Sequence, residues 1–141
     1  MKKAYLAIKF YKDCRNRKLI EQIVESLYKI GFESLAMIRD FEKWGEIKFS
    51  PKKLMNLTFE QIDKSDLILV EFSEKGIGLG IEAGYAYAKN IPIIVIAKKG
   101  SDISTTMQGV AKKTIFYNDP KDLTQKFKSL KIFNSKIRFV N

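Results

Sequence analysis

Short apolar runs alternate along this chain with stretches whose apolar positions recur at helical spacing. Residues 4 to 10, from Ala4 to Phe10, form the first apolar run and predict a strand. Asn16 is placed to cap the helix that follows, whose apolar face is Leu19, Ile20, Ile23, Val24, Leu27 and Ile30; Gly31 ends it. Glu33 to Ile38 predicts a second strand, and the polar segment RDFEKWGEIKF follows. Ser50 and Pro51 make a cap and first-turn pair for a helix through Leu54, Leu57, Phe59 and Ile62. LILVEF, preceded by Asp66, and IPIIVIA are continuous apolar runs of the kind buried on both faces of a parallel sheet. Between them lie a glycine-rich turn, Gly76 to Gly80, and the helical segment IEAGYAYAK. Ser104 is a cap for a short helix, Thr114 to Tyr117 a brief strand, and Asp119 and Pro120 open a last helix through Leu123, Phe127 and Leu130.

Strands alternating with helices imply right-handed βαβ units and a parallel sheet. The expectation is an α/β, flavodoxin-like or Rossmann-like three-layer sandwich with five parallel strands in the order 2-1-3-4-5. Ligands of such sheets sit at the carboxyl ends of the strands, near the reversal of strand order. The length of 141 residues fits one domain, taken as 1–131. The basic tail, 132–141, has three roles open to it: an added strand, an oligomer contact or a disordered end.

Composition narrows the chemistry. The chain has no histidine and one cysteine, Cys14. Ser-His-Asp and Cys-His catalysis are therefore excluded, as is an internal disulfide, and acid–base work falls to carboxylates, Tyr or Lys. No Cys/His cluster exists to hold a metal, and no cofactor is expected. The N-terminus starts like a signal peptide, but Lys9 breaks its apolar run, and no stretch is long enough to span a bilayer; the chain reads as cytoplasmic and not membrane-bound. The net charge is +10, with lysines scattered along the chain. A generally basic surface is preferred over a nucleic-acid track, because no aromatic-interleaved basic block is present.

Glu82 stands out. It follows the turn of Gly76, Gly78 and Gly80, in the expected first turn of a helix made otherwise of Ile, Ala, Gly and Tyr. There the dipole and free N–H groups favour a carboxylate, and complementing the dipole is the plain alternative to a ligand-facing role. The glycines do not complete a dinucleotide fingerprint, because Ala83 stands where the last Gly belongs.

The segment Gly78-Leu79-Gly80-Ile81-Glu82-Ala83-Gly84-Tyr85-Ala86 resembles the nucleoside 2-deoxyribosyltransferase-like family, which includes the 2′-deoxynucleoside 5′-phosphate N-hydrolases. Asp66 before the strand, Tyr5 on the first strand, and Ser104 with Gly109 five residues on match further family positions. The resemblance implies that Glu82 attacks the anomeric carbon of a nucleoside or nucleotide, with Tyr5 positioning it, and that the chain is at least a homodimer. It also has gaps. Where the family has a catalytic Asp, eight residues before Asp66, this chain has Thr58; six before the nucleophile, where the family has Asp or Ser, it has Gly76.

The expected activity is cleavage of a nucleoside 5′-monophosphate through a glycosyl-Glu82 intermediate. Base exchange on free nucleosides is the alternative within the class, and a non-catalytic nucleotide-binding module is the rival outside it. Lys9 and Arg17 are either solvated charges or phosphate ligands. Ser104 is a cap that can also seat a phosphate. Phe10 is core or ligand wall, and Trp44 a loop anchor or a stacking surface. Asp40 or Glu42 is expected to handle the proton of the leaving base in place of the missing Asp.

Overall fold

A computed structural model of the chain describes residues 1–134. Five parallel strands form one sheet in the order β2-β1-β3-β4-β5, as the alternation predicts. They are β1 (Lys2–Ile8), β2 (Phe32–Leu35), β3 (Leu67–Glu71), β4 (Ile93–Lys98) and β5 (Lys113–Tyr117). The helices are α1 (Arg17–Lys29), α2 (Met37–Asp40), α3 (Pro51–Asp63), α4 (Ile77–Ala88), α5 (Thr105–Val110), α6 (Leu123–Lys128) and α7 (Lys131–Asn134).

Strand side chains alternate between faces, so each strand feeds two cores. Ala4, Leu6, Leu67, Leu69, Ile94 and Ile96 pack with Ile20, Ile23 and Leu27 of α1 and with Leu123 and Phe127 of α6. Tyr5, Ala7, Ile68, Val70, Ile93 and Val95 face the other way, onto Ile62 of α3, Leu79, Ala83 and Ala86 of α4, and Met107 of α5. This double burial is why β3 and β4 read as unbroken apolar runs.

Three segments differ from expectation: the bounds of the first two strands follow pairing across the sheet, and the start of the helix after the third strand follows burial. The first strand begins two residues earlier and ends at Ile8 rather than Phe10. Lys2 and Lys3 pair with Phe32 and Glu33, the Lys3 N–H donates to the Asp66 carboxylate at 2.8 Å, and the β1–β3 ladder closes at Ile8–Glu71. The second strand stops at Leu35, opposite Tyr5, its last partner; Met37 and Ile38 belong to α2 instead, whose entry is tied by the Ala36 N–H to the Asp40 carboxylate, 2.9 Å. The segment Gly76 to Gly80 is not a turn before the helix. It is the start of α4, with Gly76 as cap and Leu79 already buried beneath the sheet.

Ser50 caps α3, accepting from the Lys53 N–H at 3.3 Å. Asn16 stands at the cap position of α1 but its side chain does not cap; its amide donates instead to the Lys9 carbonyl at 2.9 Å, tying the β1–α1 connection to the helix. At the C-terminal side, Phe133 of α7 packs edge-on to Phe32, with centroids 5.7 Å apart, and against Phe127 at 4.8 Å. Ile132 and Phe133 thus pack with the core; the roles open to the rest of the tail lie outside the described residues.

Phe133→Ala is expected to lower the unfolding free energy by about 3 kcal/mol, because Phe133 is 6% exposed and its ring fills space between two others. Urea unfolding checks this; a change below about 0.5 kcal/mol, the range of ordinary surface substitutions, would contradict the placement of α7.

Candidate functional site

Above the carboxyl end of β1, on the α3/α4 side of the sheet, lies a cavity of about 440 Å³. Tyr5, Leu6 and Ile8 of β1 line it, with Lys9 and Phe10 of the following loop. Met37 and Ile38 of α2, Glu42, and Leu54, Met55 and Thr58 of α3 form further walls. Gly76, Gly78, Leu79 and Glu82 close it from α4. A side chain at position 78 would meet nothing within 4 Å, so the glycine leaves the cavity open directly before the acid.

Glu82 is the sixth residue of α4, not a first-turn residue. The helix dipole therefore does not account for it. Leu79, Ala83 and Ala86 fix the buried face of α4 against the sheet, and this rotation turns Gly78 and Glu82, four residues apart, towards the cavity. The Glu82 Oε2 atom is buried and has no hydrogen-bond partner. Burial pushes the carboxyl up to about 8, and only the Tyr5 hydroxyl works in the other direction. Burial thus favours the protonated form of Glu82 at neutral pH.

Tyr5 is 1% exposed. Burial first, then the Glu82 charge, raises its phenol well above the ordinary tyrosine range, while Thr58 opposes this. The Thr58 hydroxyl donates to the Leu54 carbonyl at 2.8 Å. Glu42 is half-buried, and desolvation raises its carboxyl above the ordinary range. The cavity is an apolar chamber in which Glu82, Tyr5, Thr58 and Glu42 are the polar groups, with Lys9 at its mouth. Phe10, 59% exposed, borders that mouth.

Glu82, Tyr5, Glu42, Phe10, Lys9, Gly76 and Gly78 thus line one cavity. Other residues do not join them. Asp40 accepts from the Ala36 N–H and pairs with Arg39 at 2.8 Å, which spends its carboxylate on holding α2 in place. Arg17 stacks on the Trp44 ring, 4.5 Å to its centroid, and bonds Glu21 at 3.1 Å. Trp44 packs against the α1-side core, away from the cavity, and is a loop anchor. Gly80 lies on the exposed side of α4. Ser104 caps α5, accepting from the Met107 N–H at 3.3 Å, and neither it nor Gly109 reaches the cavity wall.

Sequence reasoning passed over Met37, Ile38, Leu54, Met55 and Leu79 as walls, and read Thr58 only as a gap. The signal for two of them was present: Leu54 and Thr58 lie four residues apart on one face of α3. Among the described residues, no group of His, Cys, Asp or Glu is arranged to hold a metal ion, and no helix is long and apolar enough to cross a membrane.

No family model matches the sequence, and a comparison with curated proteins likewise finds no match. Solved structures do match. The CMP N-glycosidase BcmB of Clostridium botulinum superposes with a TM-score of 0.67 at 23% identity, covering 90% of this chain and 98% of that one. The 2-deoxyribosyltransferase of Bacillus psychrosaccharolyticus gives 0.65 at 17% identity, covering 86% and 90%. The chain has the fold of the nucleoside 2-deoxyribosyltransferase-like enzymes. A response regulator of Thermotoga maritima, TrrA, shares the architecture at a TM-score of 0.56 and 18% identity, covering 91% and 97%. The chemistry must therefore be argued from the cavity, not from the fold.

The buried acid makes a stability prediction. With a folded pKa of about 8 against an ordinary 4.5, Glu82 contributes its full stability below about pH 4.5. It loses that contribution as pH rises to about 8, because the unfolded chain gives up the proton first. Glu82→Gln, which is neutral throughout, is expected to gain on the wild type steadily across that window and to hold a constant advantage above it. Urea midpoints of both proteins from pH 4 to 9 check this; a difference that does not vary with pH would mean that Glu82 ionises normally.

Proposed function

We propose that the chain cleaves the N-glycosidic bond of a nucleoside or nucleotide through a covalent glycosyl-Glu82 intermediate. The observation that supports this best is the buried, unpartnered Oε2 of Glu82 in an apolar cavity of about 440 Å³. A carboxyl so placed is poorly solvated and free to attack a ligand carbon, whereas a structural carboxylate is held by hydrogen bonds or a cation. The cavity falls within the usual range for a small-molecule site. The fold shared with an N-glycosidase and a deoxyribosyltransferase adds weight.

The mechanism follows from the proton inventory. Ionised Glu82 bonds to the anomeric carbon as the carbon–nitrogen bond breaks. The electron pair goes to the departing base, which needs a proton, and Glu42 supplies it. Water then attacks the same carbon, Glu42 takes back a proton, and Glu82 leaves as a carboxylate. A second base in place of water gives transfer. Tyr5 holds the Glu82 carboxyl in place. A second copy of the chain is the proposed partner, since α4 exposes Ile77 and Ile81 on its outer face.

The reactive form holds one proton, on Glu42, with Glu82 ionised, whereas burial favours protonated Glu82; kcat/KM is highest where the two acids together hold that one proton. It should fall above about 8, where the proton is lost from the pair. It should also fall in acid, where both groups are protonated. Glu42→Gln is expected to lower kcat/KM by roughly 100-fold or more. It should also reverse the alkaline limb, so that activity rises through pH 8. Chromatography of released base from a nucleoside and nucleotide panel, CMP included, provides the rates. No base released from any substrate by the wild type would reject the glycosidase and favour a binding module. An unaltered profile in Glu42→Gln would remove Glu42 from the mechanism.

A further inference from the structure

Glu74, in the connection between β3 and α4, closes a clasp at the mouth of the cavity. Its carboxylate accepts a hydrogen bond from the Tyr11 hydroxyl and pairs with Lys9 at 3.3 Å. Tyr11 and Lys9 both belong to the β1–α1 connection, so the clasp joins the two loops that frame the site. Lys9 is the one cation, among the described residues, on the cavity wall. Arg15 lies close by, 4.9 Å from the Tyr11 ring, but it is paired with Asp13 at 3.1 Å. The Tyr11 hydrogen bond, then Lys9, holds the Glu74 carboxyl below the usual range.

The clasp bears on whether the cavity can take a phosphorylated sugar. A 5′-phosphate on a sugar whose anomeric carbon faces Glu82 would meet a single side-chain cation on the cavity wall. Lys9 is that cation, and Glu74 already occupies it. Ser104 and Arg17 do not reach the wall, and Gly76 and Gly78 offer no side chains. The second cavity that Glu74 helps to line, about 300 Å³ on the α1 side, sets two acids, Glu71 and Glu74, against three bases, Lys9, Arg15 and Lys98, of which Lys9 is paired with Glu74 and Arg15 with Asp13. A phosphate entering from the sugar would lie against an ionised carboxylate, and like-charge juxtaposition is an effective way to reject a partner.

We propose that Glu74 is a specificity-determining residue: a built-in anion that occupies Lys9 and selects uncharged nucleosides over their 5′-monophosphates. The proposal rests on the glycosidase reading for its substrate and on the clasp for its selectivity.

Glu74→Gln tests it. Glutamine keeps a carbonyl oxygen for the Tyr11 hydroxyl and removes the charge. Base release is measured for matched pairs of nucleoside and 5′-monophosphate. Ribose and ribose 5-phosphate are titrated calorimetrically in parallel, since neither has a base to lose. The wild type should prefer the nucleosides. In Glu74→Gln the ratio of kcat/KM for monophosphate over nucleoside should rise at least tenfold, and ribose 5-phosphate should bind at least tenfold tighter while ribose does not. A wild type that prefers monophosphates, or a ratio unchanged or lowered by the substitution, overturns the proposal. If neither protein releases base from any substrate, the glycosidase reading fails. The ribose 5-phosphate titration then decides the role of Glu74 alone: tighter binding in Glu74→Gln supports it, and equal or weaker binding overturns it.

Discussion

A carboxyl group buried without a hydrogen-bond partner for one of its oxygens is the constraint around which this molecule is arranged. Removing Glu82 from water costs stability unless it stays protonated, and the cavity offers only the neutral Tyr5 hydroxyl to soften that cost. The arrangement persists because the rest of α4 is anchored independently. Leu79, Ala83 and Ala86 are buried against β3 and β4, and they set the rotation of the helix. Glu82 goes where that rotation sends it. The strong packing of the two central strands thus maintains an unpartnered buried carboxyl beside them.

The electrostatics of the site are opposite to those of the surface. The chain carries a net charge of +10, yet the cavity holds two acids and a single lysine already paired. Surface charge can draw an anionic ligand towards the protein over a distance of about 10 Å. It does not place a cation in the chamber. In the proposed reading, discrimination rests with a few residues at the mouth, and the glycines of α4 determine the space available rather than the charge.

Much of the fold was legible in the sequence, because strands buried on both faces must be continuously apolar and α1 and α3 must show helical spacing. LILVEF and IPIIVIA could scarcely have been anything else, and Ser50 acted as the cap its position suggested. The boundaries that moved were those decided by pairing across the sheet. Nothing local tells Phe10 that β3 ends opposite Ile8, or Met37 that β1 has no further partner for it. Glycines at 76, 78 and 80 look like a turn by propensity, and burial of Leu79 overrode this. The site was legible where motif and topology agreed, at Glu82 and Tyr5. It was not where polar residues found partners close at hand. Asp40 turned to Arg39 and the Ala36 amide, Arg17 to Trp44, and Ser104 to its own helix. Glu74, conversely, was invisible as a site residue, because its partners Lys9 and Tyr11 lie more than sixty residues away in sequence.

The covalent role of Glu82 is the claim on which the account stands, and trapping tests it most directly. Incubation with a 2-deoxy-2-fluoro nucleoside slows breakdown of a glycosyl ester by destabilising the oxocarbenium-like transition state. Mass spectrometry of the intact protein should then show one added fluorinated glycosyl group, and peptide mapping should place it on Glu82. A catalytically active protein that forms no adduct, or carries it on another residue, would contradict the account.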